Sequence, residues 1–394
     1  MREFLKRYKI TLKVITPVFI GSGQELSKKE YIYFKDIKEA WILDRNKLMK
    51  DIIKRGLVKD FERYMFRGEE RLLDWLKAKG YTRKEMQNLC AYQLNCADSL
   101  ETLNRSIEIK EFIKDAYGMP YIPGSSLKGA IRTSLLGSRI LQNKQAYEKV
   151  KKDVLECPTY FENEKLNTKY ITKDIKYNKK SNKKQDKEPN KGYLKKESIR
   201  IEQTAFHTLN VTDKRYDARN DELRGISISD SLPLQPSCLT LCQKQDINLI
   251  GKENPINILR ESLKPETEVI FELTIDTSVT KITEQEILQA LQEVYTFYQN
   301  VYVKKFPNIA KSEIGNLYLG GGCGYGTKTV LYELLEEPKR VEIASNLMML
   351  KFPNPKHGHK DDVKRGISPH MLKCTTYNGT YCEMGKVALT ITKI

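Results

Sequence analysis

Tyr8-Lys-Ile-Thr-Leu-Lys-Val14 places apolar side chains at every second position, with Lys9, Thr11 and Lys13 between them. A period of two belongs to a strand with one buried face. Thr16-Pro17 ends that strand, and Gly21-Ser22-Gly23 makes a turn soon after. Residues 31–34 and 40–43 read as further short strands. From Arg45 to Ala116 the apolar spacing shifts to three and four, which predicts helices. Pro120 and Pro123 stop the chain, and Ser125 or Ser126 then caps a helix with Leu127, Ile131 and Leu135 as its apolar stripe.

A similar order returns downstream. Residues 226–229 open a second β-rich half, and Val269, Phe271, Leu273 and Ile275 alternate as a strand. Thr283-Glu-Gln-Glu286 is a capping-box pattern, followed by a helical stripe through Ile287, Leu291, Tyr295, Tyr298 and Tyr302. Val330, Tyr332 and Leu334 predict a strand, as do Val387, Leu389 and Ile391. Strand, helix and strands, twice over, predict an α+β protein of two ferredoxin-like or RRM-like halves. The expected division is residues 1–215 and 216–394, with a helical insert at 45–116.

Residues 164–196 differ in kind, holding twelve lysines and almost no aliphatic side chains. Such a segment buries too little surface to offset its ordering entropy, so it reads as a flexible insert. Its Tyr170, Tyr177 and Tyr193 either stack on bases or sit in a solvated loop.

The chemistry concentrates in two stretches about two hundred residues apart. Leu319-Gly-Gly-Gly-Cys-Gly-Tyr-Gly-Thr-Lys-Thr329 packs five glycines into seven positions ahead of a lysine. Backbone N–H groups free of side-chain bulk approach and donate to an anionic surface. Pro123-Gly-Ser-Ser-Leu-Lys-Gly-Ala-Ile-Arg-Thr133 offers hydroxyls at a helix start, with Lys128 and Arg132 one turn apart. Neither stretch is a nucleotide P-loop, because Thr327 separates Gly326 from Lys328 and Ala130 follows Gly129. Tyr325 breaks the dinucleotide fingerprint. Gly324-Tyr-Gly326 lacks the flanks of an RNP aromatic platform.

The 394-residue chain carries 68 lysines and arginines against 51 acidic residues, a formal charge of +17. With two anion-suited loops, that excess favours nucleic acid over one nucleotide. Eight cysteines contain no CxxC pair, and no run has the length of a membrane span or signal core, so a cytoplasmic protein is expected. The four histidines, His207, His357, His359 and His370, form no recognisable catalytic order. His357, His359, His370 and Cys374 match no zinc spacing, so neither a metal nor a cofactor is expected.

Tyr121-Ile-Pro-Gly-Ser-Ser-Leu-Lys-Gly-Ala-Ile-Arg-Thr133 and Leu319 to Gly326 resemble the two signature stretches of the RAMP superfamily of CRISPR proteins. The first strand with Phe19-Ile-Gly-Ser-Gly23 resembles that family's start. Lys360-Asp-Asp-Val-Lys-Arg-Gly-Ile-Ser-Pro-His-Met-Leu-Lys373 is similar to the fifth-subunit family of type III-A (Csm) effector complexes. The resemblance implies an RRM-like architecture and a non-catalytic subunit bound to the 3′ part of a guide crRNA, supporting its maturation and antiviral defence. It implies as partners the repeating backbone subunit, the small filament subunit and recruited host trimming nucleases. The RNA-contacting candidates are then Gly21, Ser22, Gly23, Ser125, Ser126, Lys128, Arg132, Gly320, Gly321, Gly322, Gly324, Tyr325, Gly326 and Lys328. The related backbone subunit carries a catalytic aspartate after its first strand. Here Ser27-Lys-Lys-Glu-Tyr31 offers only Glu30, so no nuclease site is expected. The rival reading is a metal-independent endoribonuclease using His207 or His370 as general base.

Overall fold

Alternation in the first strand is resolved by burial: Tyr8, Ile10, Leu12 and Val14 are all buried, and the residues between them are not. The computed structural model describes residues 4–66, 70–99, 108–157, 193–214, 216–307 and 314–394. Its strands are β1 (Leu5–Val14), β2 (Gly21–Leu26), β3 (Tyr31–Phe34), β4 (Glu39–Leu43), β5 (Cys90–Asn95), β6 (Ile109–Phe112) and β7 (Ile226–Ile228). They continue as β8 (Leu239–Asn248), β9 (Glu253–Leu263), β10 (Glu268–Asp276), β11 (Leu317–Tyr318), β12 (Met371–Tyr377), β13 (Thr380–Glu383) and β14 (Lys386–Lys393). Helices α1 (Arg45–Lys54), α2 (Val58–Phe66), α3 (Leu72–Ala78) and α4 (Arg83–Asn88) precede β5. The later ones are α5 (Gly124–Gln142), α6 (Glu148–Leu155), α7 (Lys195–Phe206), α8 (Glu284–Val301), α9 (Leu331–Leu334), α10 (Lys339–Lys351) and α11 (Asp362–Arg365).

One sheet runs β11-β14-β1-β10-β7. β1 is its centre: Ile10 faces Phe271 on one side and Ile391 on the other, both antiparallel. The helices α5 and α8 pack together, and a Cβ on Gly137 would stand 2.9 Å from Val294. Thr283 caps α8 by accepting from the Glu286 N–H at 3.1 Å. The other sheet runs β2-β6-β9-β8-β5-β4-β3, and β12 with its hairpin partner β13 joins it at β8. Each sheet draws strands from both sides of residue 215. One core joins both sheets, and a second lies under α1–α4, where Ile32, Phe34, Trp41 and Leu43 meet Leu48, Ile52, Tyr64 and Trp75.

Several expectations change. The helical stretch from residue 45 holds only to α4, after which β5 pairs antiparallel with β4 and β6 with β2, and each also meets a strand of the later half, β8 or β9, in parallel. Those strands are made by distant partners, which override local spacing. Residues 331–334 form α9, with Val330 at its N-cap, and not a strand. Leu331, Tyr332, Glu333 and Leu334 are all buried, so alternation there marks no face. The helix α5 has Pro123 at its N-cap with no side-chain cap; neither Ser125 nor Ser126 holds that position. Lys195 and Lys196 already belong to α7, and the rest of the lysine-rich insert lies outside the described residues except Tyr193 and Leu194. Among the described residues no helix is long and apolar enough to cross a membrane.

Candidate nucleic-acid interface

The glycine loop leaves β11 and turns against the segment that follows β1. The Gly321 N–H donates to the Phe19 carbonyl at 2.7 Å, and a Cβ on Gly320 would stand 2.3 Å from that oxygen. Gly320, Gly322 and Gly324 have φ of 91°, 91° and 94°, a region that favours glycine. A Cβ on Gly21 would lie 2.9 Å from the Phe19 ring, so the two glycine turns meet through this phenylalanine. The N–H groups of Gly322, Gly324, Tyr325 and Gly326 bond to no acceptor among the described residues. Clustered unpaired N–H groups make an anion-accepting surface. Lys328 is exposed at the end of the loop, while Tyr325 is partly buried.

Three cations that the sequence reading missed stand beside this loop. Arg260 on β9 places Nη1 2.5 Å from the point a Gly322 Cβ would take, and its guanidinium lies 5.3 Å from the Phe19 ring. Lys373 on β12 passes 3.6 Å from a Gly324 Cβ and binds Asp246 Oδ2 at 2.6 Å. Lys244 on β8 completes the group. Burial lowers its pKa from the ordinary lysine value; Asp246 opposes that shift, and Lys373 and Arg260 add to it. Burial also lowers Arg260. Neither Lys244 nor Arg260 forms an ion pair among the described residues, so Asp246 alone faces three cations. Half-buried unpaired cations are costly in an isolated protein and are relieved by a bound anion.

The helix signature is arranged differently. The Gly124 N–H donates to Asp230 Oδ1 at 2.8 Å, and a Cβ there would stand 2.3 Å from the Ile228 carbonyl. Lys128 Nζ donates to the carbonyls of Leu223 (2.9 Å) and Ile226 (2.6 Å). Arg132 pairs with Asp221 at 2.7 Å and Glu202 at 2.8 Å, and lies over Phe206. Arg139 is held by Glu222 and Glu286. These cations tie α5 to α7 and to residues 221–226. Ser125 is exposed and Ser126 half-buried at the helix start. Ala130, Thr133 and Ser134 on another face line a small cavity, about 30 Å³, with Gly326, Thr327 and Thr329. The two signatures therefore meet through small residues.

Glu30 accepts from the Ser27 N–H at 2.8 Å and pairs with Arg45, so it caps its own turn. His207 sits in an isolated bridge opposite Asp221. Two histidines do come together with an acid. Asp362, fully buried, meets His359 Nδ1 at 3.0 Å and His370 Nδ1 at 2.5 Å, and accepts from Ser368 Oγ at 2.7 Å. Burial works to raise this carboxyl, but those three hydrogen bonds outweigh it and hold the pKa at about 2. No sequence spacing announced Asp362. Cys374, buried on β12, is not part of the group.

The family profile described as RAMP superfamily matches residues 11–337. A protein of Mycobacterium tuberculosis (strain CDC 1551 / Oshkosh) named CRISPR system Cms protein Csm5 is 26% identical over 425 residues, covering 99% of each chain. Its namesake in Streptococcus thermophilus is 28% identical over 346 residues, covering 84% of this chain and 82% of its own. Among solved structures, a chain of a Csm–crRNA–target RNA ternary complex of a type III-A CRISPR-Cas system superposes with a TM-score of 0.61. That likeness is at 20% identity and covers 97% of this chain and all of that one. The crystal structure of T. onnurineus Csm5 gives a TM-score of 0.57 at 19% identity, over 96% of this chain and 99% of that one.

Proposed function

The chain belongs to the RAMP superfamily, and on that premise we propose that it is a non-catalytic, Csm5-type subunit of a type III-A effector complex. In this reading it binds the 3′ part of the guide crRNA and supports crRNA maturation in antiviral defence. The nearly full-length similarity to proteins named Csm5 supports the assignment. The strand order with β1 between β14 and β10, and α5 and α8 as the crossing helices, favours a ferredoxin-like arrangement of the first sheet. Its partners are then the repeating backbone and small filament subunits, with trimming nucleases recruited from the host cytoplasm.

The observation that carries the RNA reading is the Arg260 guanidinium, unpaired by any carboxylate and pressed against Gly322, where backbone N–H groups also stand unpaired. Phosphate and ribose groups satisfy such donors with little base reading. The loops at Gly21–Gly23 and Gly320–Lys328 line the contact, and the Ser125–Ser126 helix start extends it. Lys128 and Arg132 serve it by holding α5 in place.

The test is a fluorescence anisotropy titration of a 3′-labelled guide RNA with wild type and with Lys244→Gln/Arg260→Gln. The expected result is at least tenfold weaker binding by the variant at a melting temperature no lower than that of wild type, since two half-buried unpaired charges are removed. Equal affinity would remove the basic cluster from the RNA path.

A further inference from the structure

We propose that His359, Asp362 and His370 form a binding site for a divalent transition-metal ion of the zinc class. The donor set is two imidazoles and one carboxylate, which suits zinc, nickel or ferrous iron better than the all-oxygen preference of magnesium or calcium. The ligand atoms of all three residues lie within 4.8 Å of one another. Donors sharing a tetrahedral ion with bonds of about 2.0–2.2 Å stand roughly 3.3–3.6 Å apart, so an ion must open the 3.0 and 2.5 Å His–Asp362 contacts and draw in the wider pair, shifts on the order of an ångström. The two imidazole centroids are 5.0 Å apart, close to the spacing of about 5 Å expected for two imidazoles on one ion.

The surroundings fit a metal site in depth as well. Asp362 is fully buried, whereas the His359 and His370 side chains keep 10% and 15% of their exposure, enough for an ion to enter. Ser368 Oγ already donates to Asp362 Oδ2 at 2.7 Å and would orient the carboxylate from outside. His357, exposed, has its ring 6.3 Å from that of His359 and is not one of the three ligands.

One cation competes. Arg365 Nη1 lies 3.1 Å from Asp362 Oδ1 and 3.4 Å from His370 Nδ1. The same nitrogen also donates to the Gly358 carbonyl at 2.7 Å, and the side chain is 35% exposed, so it can withdraw toward solvent on that anchor. A bound ion would join the turn before α11 to the foot of β12, three residues from Lys373. The inference does not depend on the RNA reading.

The experiment uses the full chain, stripped with chelator and dialysed. Zinc is titrated by calorimetry, and bound metal is measured by atomic emission after gel filtration. Wild type should take up one zinc ion per chain and melt at a higher temperature with it, while magnesium does neither. His359→Gln/His370→Gln should bind at least tenfold more weakly, and Arg365→Gln more tightly, since its competitor is gone. The visible spectrum of cobalt-loaded wild type gives a check that needs no variant, because nitrogen and oxygen ligation lacks thiolate charge-transfer bands. Absence of saturable zinc uptake by wild type, uptake unaltered in the double histidine variant, or thiolate bands in the cobalt spectrum would each overturn the site.

Discussion

The Phe19 carbonyl oxygen stands 2.3 Å from the place a Cβ on Gly320 would occupy, and the same oxygen accepts the Gly321 N–H at 2.7 Å. The glycine loop is thus shaped first by the strand-1 turn, before any ligand arrives. Gly320→Ala must move a backbone carbonyl and hold φ near 91°, a cost on the order of 3 kcal/mol. Gly129, in α5 with nothing within 4 Å of its Cβ position, is the control. Gly129→Ala should stabilise by up to about 1 kcal/mol. Chemical denaturation of both variants checks the contrast, and equal midpoints would refute it.

Why some of this was legible follows from where the partners lie. Tyr8 to Val14 and Val269 to Ile275 show their buried face locally, because a half-buried strand alternates. The glycine loop announced close backbone approach, and its positive φ values agree. Lys244, Arg260 and Lys373 stayed hidden because β8, β9 and β12 bring them together, with β12 pairing to β8 across more than a hundred residues. Lys128 and Arg132 read as a basic face because their acceptors, Ile226, Leu223, Asp221 and Glu202, come from a later segment folded onto α5.

RNA binding through the basic cluster should show in its salt dependence. Each cation that neutralises a phosphate on a single strand adds about 0.7 to the slope of log affinity against log salt. Lys244→Gln/Arg260→Gln should therefore flatten the slope by about 1.4. Anisotropy titrations across a salt series measure it, and parallel lines for wild type and variant would contradict the assignment.

Removal of the inward-facing cations should act on the fold. Lys128→Ala/Arg132→Ala frees two carbonyls and leaves Asp221, whose side chain is 17% exposed, without its partner. The expected loss is about 2–4 kcal/mol, allowing for partial exposure. RNA affinity of the folded variant should stay within about threefold of wild type. Full stability with lost binding would instead place these side chains on the RNA.

Glu333 gives the protein a pH signature. It is buried on α9 with Oε2 bonded to no partner, and burial pushes its pKa up to about 8. Unfolded, the same carboxyl titrates near 4.5. Between those values the native state keeps a proton that the unfolded state has released, so stability falls as pH rises through that window and levels off above about 8. Glutamine has the same shape without the charge. Glu333→Gln should therefore match wild type near pH 4.5 and exceed it by a few kcal/mol, to order of magnitude, near pH 8. Urea midpoints for both proteins across this range make the comparison. A constant difference at every pH would mean that the carboxyl titrates alike in the folded and unfolded protein, so that burial does not raise it.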